Sequence, residues 1–142
     1  MRFPFAFSLA AFFAFLSTSA ASQVITLTAA NFDSVVKHEP LIMVEFIASW
    51  CPHCQTLAPI YERTATNLQG TAKFAKIDCS KAPESEICKA SGIQGYPTLL
   101  IYRNGQHTEY KNQRDVAALT DAMLAHIPNL NNRCPAPREG GS

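Results

Sequence analysis

Two cysteines separated by only two residues are the part of this sequence most suited to chemistry. Cys51 and Cys54 enclose Pro52 and His53, in a chain of 142 residues that holds five cysteines. A Cys-x-x-Cys pair can be half of a zinc site, an inert disulfide bridge or a redox-active dithiol. The rest of the chain must distinguish these three kinds of site.

The positions of the other three cysteines weigh against zinc. Cys79 and Cys88 are nine positions apart, and Cys134 lies close to the C-terminus. A four-thiolate zinc site needs two close pairs that can converge, and the sequence offers one such pair. We therefore expect no metal site, and the choice falls between an inert bridge and a redox dithiol.

The elements around the pair favour the redox dithiol. Residues 41–47 are nearly all apolar, which suits a central strand covered on both faces. From Cys51 to Leu68 apolar residues recur at three- and four-residue steps, which predicts a helix with Pro52 in its first turn. Cys51 therefore falls where free backbone N–H groups and the helix dipole stabilise a thiolate and lower the cysteine pKa.

Different roles follow for the residues of the motif. The thiolate is the attacking species in disulfide exchange, so Cys51 is expected to be the nucleophile. His53 can add a cationic or hydrogen-bonding group beside the same sulfur. Cys54 lies one turn further into the helix and is suited to resolve the mixed disulfide.

The remaining elements complete a single α/β domain, with a β-α-β half followed by a hairpin and a helix. The dipeptide Asn104-Gly105 between two strand-like runs predicts the hairpin turn. Thr28 is a candidate N-cap for the first helix. Further strands are predicted at residues 24–27, 73–78, 98–103 and 106–110, and further helices at 83–91 and 115–127.

The two ends of the chain differ from this domain, which we place at residues 21–127. Residues 1–20 have the order of a secretory signal peptide, with cleavage expected after Ala20 or within a residue or two of it, and no later segment is apolar enough to span a membrane. The composition of residues 128–142 predicts a loose tail.

The net charge of the chain is the next indication of function. Without Arg2, Lys+Arg falls from 12 to 11 against 11 Asp+Glu. A neutral chain gives no indication of nucleic-acid binding.

Two stretches of the chain resemble a known family. Residues 44–54, VEFIASWCPHC, and residues 95–99, GYPTL, are similar to the thioredoxin fold, and specifically to a catalytic domain of the protein disulfide isomerase family. The resemblance runs from about Val24 to about Ile127. It implies a central mixed β-sheet flanked by helices, and a thiol-disulfide oxidoreductase that needs no metal or organic cofactor.

The resemblance also implies roles for single residues. Trp50 would pack beside the dithiol, and Pro97 would be a cis-proline whose loop faces it and pairs with the backbone of an extended substrate. Glu45 would be a buried acid that accepts the proton of Cys54. Arg114 would be a mobile arginine that lowers the pKa of the second cysteine. The alternatives are an exposed strand-edge carboxylate for Glu45 and a solvated charge at a helix start for Arg114.

The expected substrates follow from an apolar rim around the dithiol. Trp50, Pro52, Tyr96 and Pro97 would hold unfolded protein segments with little sequence preference. We expect cysteine-containing protein substrates, a separate redox partner and a monomeric protein, either in the endoplasmic reticulum lumen or secreted. The C-terminal residues 140–142 are not a Lys-Asp-Glu-Leu-type retention signal.

Two residues near the dithiol depart from the family's pattern. Pro52 replaces the usual glycine, which gives the Cys-Pro-His-Cys motif of the bacterial periplasmic oxidant with the same fold. A reduced form stabilised by its thiolate makes the disulfide a stronger oxidant, so we expect a disulfide donor or isomerase. Gln55 stands where a lysine is common, which removes a nearby positive charge. The alternatives are a thioredoxin-like reductase and a redox-regulated chaperone or binding module that uses the same rim.

The other cysteines have separate expected roles. Some disulfide isomerase relatives carry a cysteine pair at the position of Cys79 and Cys88. A structural bridge here would stabilise the loop by about 2–3 kcal/mol. The alternatives are two free buried thiols, or a second catalytic pair, which would lack the helix-start geometry. Cys134 is then left over, to be capped by a small thiol or to link two chains.

Overall fold

Strands and helices alternate along residues 21–128, the part of the chain that the computed structural model describes. The strands are β1 (Val24–Leu27), β2 (Leu41–Ile47), β3 (Lys73–Asp78), β4 (Thr98–Arg103) and β5 (Gln106–Tyr110). The helices are α1 (Phe32–His38), α2 (Pro52–Asn67), α3 (Glu84–Ala90) and α4 (Val116–Leu124). The elements follow the predicted order.

Strand β2 lies in the middle of a mixed sheet whose order is β1-β3-β2-β4-β5. It is parallel to β3 and antiparallel to β4. At the two edges, β1 is parallel to β3 and β5 is antiparallel to β4. Six of the seven residues of β2 are buried, as expected for a strand covered on both faces. The C-terminal end of this buried strand leads directly to the dithiol.

Helices cover both faces of the sheet. On one face, Met43 of β2 belongs to a buried cluster that includes Tyr61 of α2 and Leu119 of α4. On the other face, Phe46 of β2 packs edge-to-face against Phe32 of α1, with ring centroids 6.2 Å apart. Such dense packing fixes the end of β2, and with it the segment that carries the dithiol.

The start of α2 and the hairpin turn agree with the sequence prediction. Cys51 is the N-cap of α2 and Pro52 its first residue, so this helix begins within one residue of the predicted position. Asn104 and Gly105 have φ angles of 51° and 79°, the left-handed pair that a two-residue hairpin turn requires. The dithiol is therefore placed at a helix N-terminus directly after the central strand.

Two helix ends differ from the prediction. Thr28 does not cap α1, because a turn lies between Thr28 and the helix and the N-cap position falls at Asn31. Helix α4 ends at Leu124 instead of residue 127, since the next residues make tighter bonds to the third residue back. Within residues 21–128, no helix is long and apolar enough to cross a membrane.

Candidate active site

Cys51 is held at the point where β2 has ended and α2 begins. Its Sγ accepts a hydrogen bond from the backbone N–H of Cys54 at 3.4 Å, and so caps the helix. Its thiol lies 3.7 Å from the carbonyl oxygen of Tyr96. Both Cys51 and Cys54 are free thiols and are buried. The structure therefore describes a reduced dithiol that faces the Pro97 loop, which includes Tyr96.

The environment of Cys51 favours its thiolate. The hydrogen bond with the Cys54 side chain is the largest cause that lowers the pKa of the Cys51 thiol, and the backbone N–H groups of Cys54 and His53 lower it further. Burial and the charge of Glu45 act in the opposite direction but are outweighed. His53 acts here through its backbone N–H, while its imidazole is exposed, so the contribution of the imidazole stays a prediction.

Cys54 has the opposite protonation preference. Burial is the largest cause that raises the pKa of its thiol, and the hydrogen bond with Cys51 adds to it, so that the pKa reaches about 12. At neutral pH one sulfur of the pair is thus favoured as a nucleophile while the other keeps its proton. Cys54 needs a proton acceptor before it can attack a mixed disulfide.

Glu45 is a buried carboxyl close enough for its charge to raise the pKa of both cysteines, and it is the candidate acceptor. It is 3% exposed, and its Oε1 has no hydrogen-bond partner among the described residues. Burial raises the pKa of its carboxyl to about 7, which is near the range in which a general base operates. The alternative of an exposed carboxylate at a strand edge is wrong, because β2 is the central strand.

Lys76 is a residue of the site that the sequence reasoning missed. The parallel register of β2 and β3 sets Lys76 beside Glu45. Among the causes that lower the pKa of Glu45, the charge of Lys76 is the largest, ahead of that of Arg114. A lysine between apolar residues in a predicted strand was an available signal, but its neighbour could not be known without the register.

Arg114 is exposed, and among the described residues it makes no hydrogen bond to either cysteine. Its Nη2 donates a hydrogen bond to the carbonyl oxygen of Pro97 at 3.1 Å. Its charge reaches Glu45, whose pKa it lowers. An inward movement toward Cys54 stays a prediction from the family resemblance.

The rim around the dithiol consists of fewer side chains than predicted. Trp50 is 68% exposed and packs edge-to-face on Tyr96, with ring centroids 6.1 Å apart. Pro52 is also exposed. The Tyr96–Pro97 bond is cis, but the Pro97 side chain is buried and cannot be part of an apolar surface. The exposed rim is therefore Trp50 and Pro52, with the half-buried Tyr96 beside them.

A polar groove of about 770 Å³ extends from the rim on the other side of the Pro97 loop. Residues 91–98 supply most of its lining, and β5 with the segment after it supplies a second wall, where Glu109 and Lys111 form an ion pair at 3.2 Å. We call this the Pro97 groove, and its lining includes Tyr96, Pro97, His107, Glu109, Lys111 and Arg114.

Cys79 and Cys88 form a disulfide that ties the end of β3 to α3. Both residues are buried, and Cys79 also donates its backbone N–H to the carbonyl oxygen of Ile47 at 2.8 Å. Among residues 21–128 no group of three or more metal-ligating side chains could hold a metal ion. Cys134, the predicted signal peptide and most of the predicted tail lie outside the described residues.

Comparisons with known proteins agree with this geometry. The Thioredoxin family model matches residues 23–125. Protein disulfide-isomerase of Humicola insolens is 41% identical over 110 residues, which are 76% of this chain and 21% of that protein. Protein disulfide-isomerase A3 of Gallus gallus is 39% identical over 111 residues, which are 78% of this chain and 21% of that protein.

Among solved structures, the first thioredoxin domain of mouse Protein disulfide-isomerase A4 superposes with a TM-score of 0.68 and 29% sequence identity. The match covers 86% of this chain and 86% of that domain. This chain spans about a fifth of the length of the two curated relatives above. The similarity is thus to one domain of each of these larger proteins.

Proposed function

This chain belongs to the thioredoxin family, and on that premise we propose that it is a thiol-disulfide oxidoreductase of the protein disulfide isomerase type. It acts on cysteines of protein substrates in the secretory pathway, where it donates the Cys51–Cys54 disulfide or rearranges incorrect disulfides. No metal or organic cofactor takes part. A separate redox partner reoxidises the dithiol.

The observation that carries this proposal is the asymmetry within the dithiol. The pKa of the Cys51 thiol is lowered, whereas that of Cys54 is raised to about 12. A lowered pKa increases the fraction of Cys51 present as the attacking thiolate and makes this sulfur a better leaving group in disulfide exchange. An inert structural bridge would need neither this asymmetry nor a buried carboxyl whose pKa is near 7.

The proposed reaction balances as a series of thiol-disulfide exchanges. In oxidation, a substrate thiolate attacks Cys51 Sγ, the Cys51–Cys54 bond breaks, and Cys54 leaves as a thiolate that takes the proton from Glu45. A second substrate thiolate then attacks the substrate sulfur of the mixed disulfide and releases the Cys51 thiolate. In isomerisation, Cys51 attacks a substrate disulfide first. Where the substrate does not rearrange, Cys54 gives its proton to Glu45 and displaces the substrate.

The rim and the Pro97 groove support a substrate that is an extended polypeptide. Trp50 and Tyr96 offer aromatic surface beside the reactive sulfur. The Tyr96 carbonyl oxygen is already within 3.7 Å of Cys51 Sγ, so a peptide bound to that sulfur can contact this backbone. The polar groove on the other side of the loop can hold the residues that flank the substrate cysteine.

Two single-cysteine variants test the proposal. With a scrambled, disulfide-containing protein as substrate, Cys51→Ser is expected to lose turnover, and Cys54→Ser to lose the part of it in which the substrate does not rearrange by itself. Cys54→Ser should also accumulate a mixed disulfide that appears on a non-reducing gel, because the resolving thiol is absent, while Cys51→Ser should not.

A redox-regulated binding module predicts a different pattern. It would bind unfolded protein through the exposed Trp50 and the half-buried Tyr96, and Cys51→Ser would not change that binding. Turnover that survives in Cys51→Ser, or binding without turnover in the unmodified protein, would contradict the enzymatic proposal.

A further inference from the structure

A chain of polar side chains connects the end of β3 to the segment that precedes the dithiol. Asp78 is the last residue of β3, and its Oδ1 accepts hydrogen bonds from the Ser80 hydroxyl at 2.6 Å and the Ser80 backbone N–H at 3.0 Å. The Ser80 hydroxyl lies 3.0 Å from the hydroxyl of Ser49. Ser49 precedes Cys51 by two residues.

The direction of these hydrogen bonds can be assigned. A hydroxyl carries one proton, and a 2.6 Å contact with a carboxylate requires Ser80 to donate that proton to Asp78. The oxygen of Ser80 then accepts, so the hydroxyl of Ser49 must be the donor between the two serines. The bonds run in one direction, from Ser49 through Ser80 to the carboxylate of Asp78.

The Asp78 carboxyl is suited to act as the acceptor at the end of this chain. Burial acts to raise its pKa, but the hydrogen bonds from Ser80, the Lys81 ammonium group and the Ser49 backbone N–H outweigh this and lower it. The Lys81 Nζ lies 3.6 Å from Asp78 Oδ2. The carboxylate is therefore ionised over the whole neutral range.

The segment from Ile47 to Cys51, which contains Ser49, is held by two other hydrogen bonds. The Cys79 backbone N–H, between Asp78 and Ser80, bonds to the carbonyl oxygen of Ile47 at 2.8 Å. From the helix side, Gln55 Nε2 donates to the carbonyl oxygen of Ser49 at 3.4 Å. The segment from Ile47 to Cys51 is thus fixed between β3 and the first turn of α2.

We propose that Asp78 and Ser80 are positioning residues for the dithiol, acting through the hydroxyl of Ser49. They touch no reacting atom. They hold the segment before Cys51 in place. The Sγ of Cys51 then stays within hydrogen-bond distance of the Cys54 N–H, the contact that favours the thiolate. The inference rests on the proposed function, since it concerns the reactivity of the same sulfur.

The Cys79–Cys88 disulfide restrains the part of the chain that contains Asp78 and Ser80. Cys79 lies between Asp78 and Ser80, and its bond to Cys88 ties that position to α3. The loop after β3 is otherwise exposed at Ser80 and Lys81. The structural bridge therefore also holds the residues that position the segment before the catalytic cysteine.

The test measures the reactivity of Cys51 in the reduced protein. Iodoacetamide alkylation is followed against pH, and the potential of the Cys51–Cys54 pair is measured in glutathione buffers. Ser80→Ala and Ser49→Ala are each expected to slow alkylation near neutral pH about 2- to 10-fold, the effect of one net hydrogen bond. Both should make the pair less oxidising. The double variant should be no slower than either single one, because the two serines act as one unit.

A control separates this effect from general loss of a serine hydroxyl. Ser34, whose hydroxyl donates to the carbonyl oxygen of Asn31 beside α1, is exposed, and Ser34→Ala should alkylate like the unmodified protein. Asp78→Asn removes the charge at nearly constant shape and should slow alkylation at least as much as Ser80→Ala. If Asp78→Asn does not fold, the exposed Ser80→Ala still decides the question.

Three results would overturn the inference. They are an unchanged alkylation profile and potential in both serine variants, the same change in Ser34→Ala, and an additive double variant. Failure of the proposed function would look different, because the unmodified protein itself would then show no fast-reacting thiol and no turnover.

Discussion

Glu45 should make the protein less stable as the pH rises from about 4.5 to about 7, and Glu45→Gln should remove this effect. Burial raises the pKa of Glu45 from its ordinary value of 4.5 to about 7. The folded state then holds a proton between these two pH values that the unfolded chain has released. Stability from this group is therefore present below about pH 4.5 and is lost as the pH rises toward 7.

The size of the effect follows from the same two values. At about 1.36 kcal/mol per pKa unit, the difference between 4.5 and about 7 corresponds to about 3 kcal/mol in the free energy of unfolding. Because Glu45 is 3% exposed, solvent does not screen this effect appreciably. A cost of this size is a large part of the total stability of a small domain.

The assay is urea unfolding at several pH values between about 4 and 8, followed by the fluorescence of Trp50, the single tryptophan of the chain. Cys51→Ser and Cys54→Ser are introduced together as the background, so that no thiol reacts during the experiment. Neither cysteine is among the causes of the raised pKa of Glu45. In this background, the free energy of unfolding of Glu45→Gln should rise relative to that of its parent as the pH rises. The relative gain between about pH 4 and pH 8 should be about 3 kcal/mol.

Parallel stability curves for the parent and Glu45→Gln would refute this reasoning. They would mean that Glu45 has an ordinary pKa in the folded state and cannot exchange a proton with Cys54 near neutral pH. In the protein with both thiols, Glu45→Gln should instead slow the resolution of a mixed disulfide. Greater stability combined with slower turnover is the expected signature of a functional buried acid.

Three further predictions concern the thiols, the rim and the core. At pH 7 iodoacetamide should modify Cys51 and leave Cys54 unmodified, since the pKa of Cys54 is about 12; equal modification in a peptide map would contradict the assigned roles. Trp50→Ala should raise KM for an unfolded protein substrate about 5-fold or more, with little change in stability because the side chain is 68% exposed; an unchanged KM would remove the rim from substrate binding. Leu99→Ala should lower the free energy of unfolding by about 2–5 kcal/mol, because Leu99 is fully buried between the sheet and its helices; an unchanged denaturation midpoint would contradict that packing.

Local patterns in the sequence were enough to predict the elements that carry the site. The apolar run of β2, the helical period after Cys51 and the Asn104-Gly105 turn each specify their own structure within a few residues. Pro52 at the first helical position added the location of the helix start. The family resemblance then supplied the cis bond at Pro97, which no pattern in the residues would indicate.

Features that depend on contacts between distant residues could not be predicted in this way. Lys76 lies beside Glu45 only because β3 pairs with β2 in one register. The burial of the Pro97 side chain and the link between Ser49 and Ser80 likewise depend on how loops meet after the sheet has formed. Thr28 had the residue type of an N-cap, but a turn separates it from the first residue of α1, which is Phe32.

The reduction potential of the Cys51–Cys54 pair tests the central claim most directly. The protein would be equilibrated in glutathione buffers of known potential, and its thiols trapped with an alkylating reagent and counted by mass. Because thiolate stabilisation at Cys51 favours the reduced form, we expect a value near or above the potential of about −180 mV typical of disulfide isomerases. A value near the −270 mV or so of thioredoxin would contradict a disulfide donor or isomerase and would indicate a reductase.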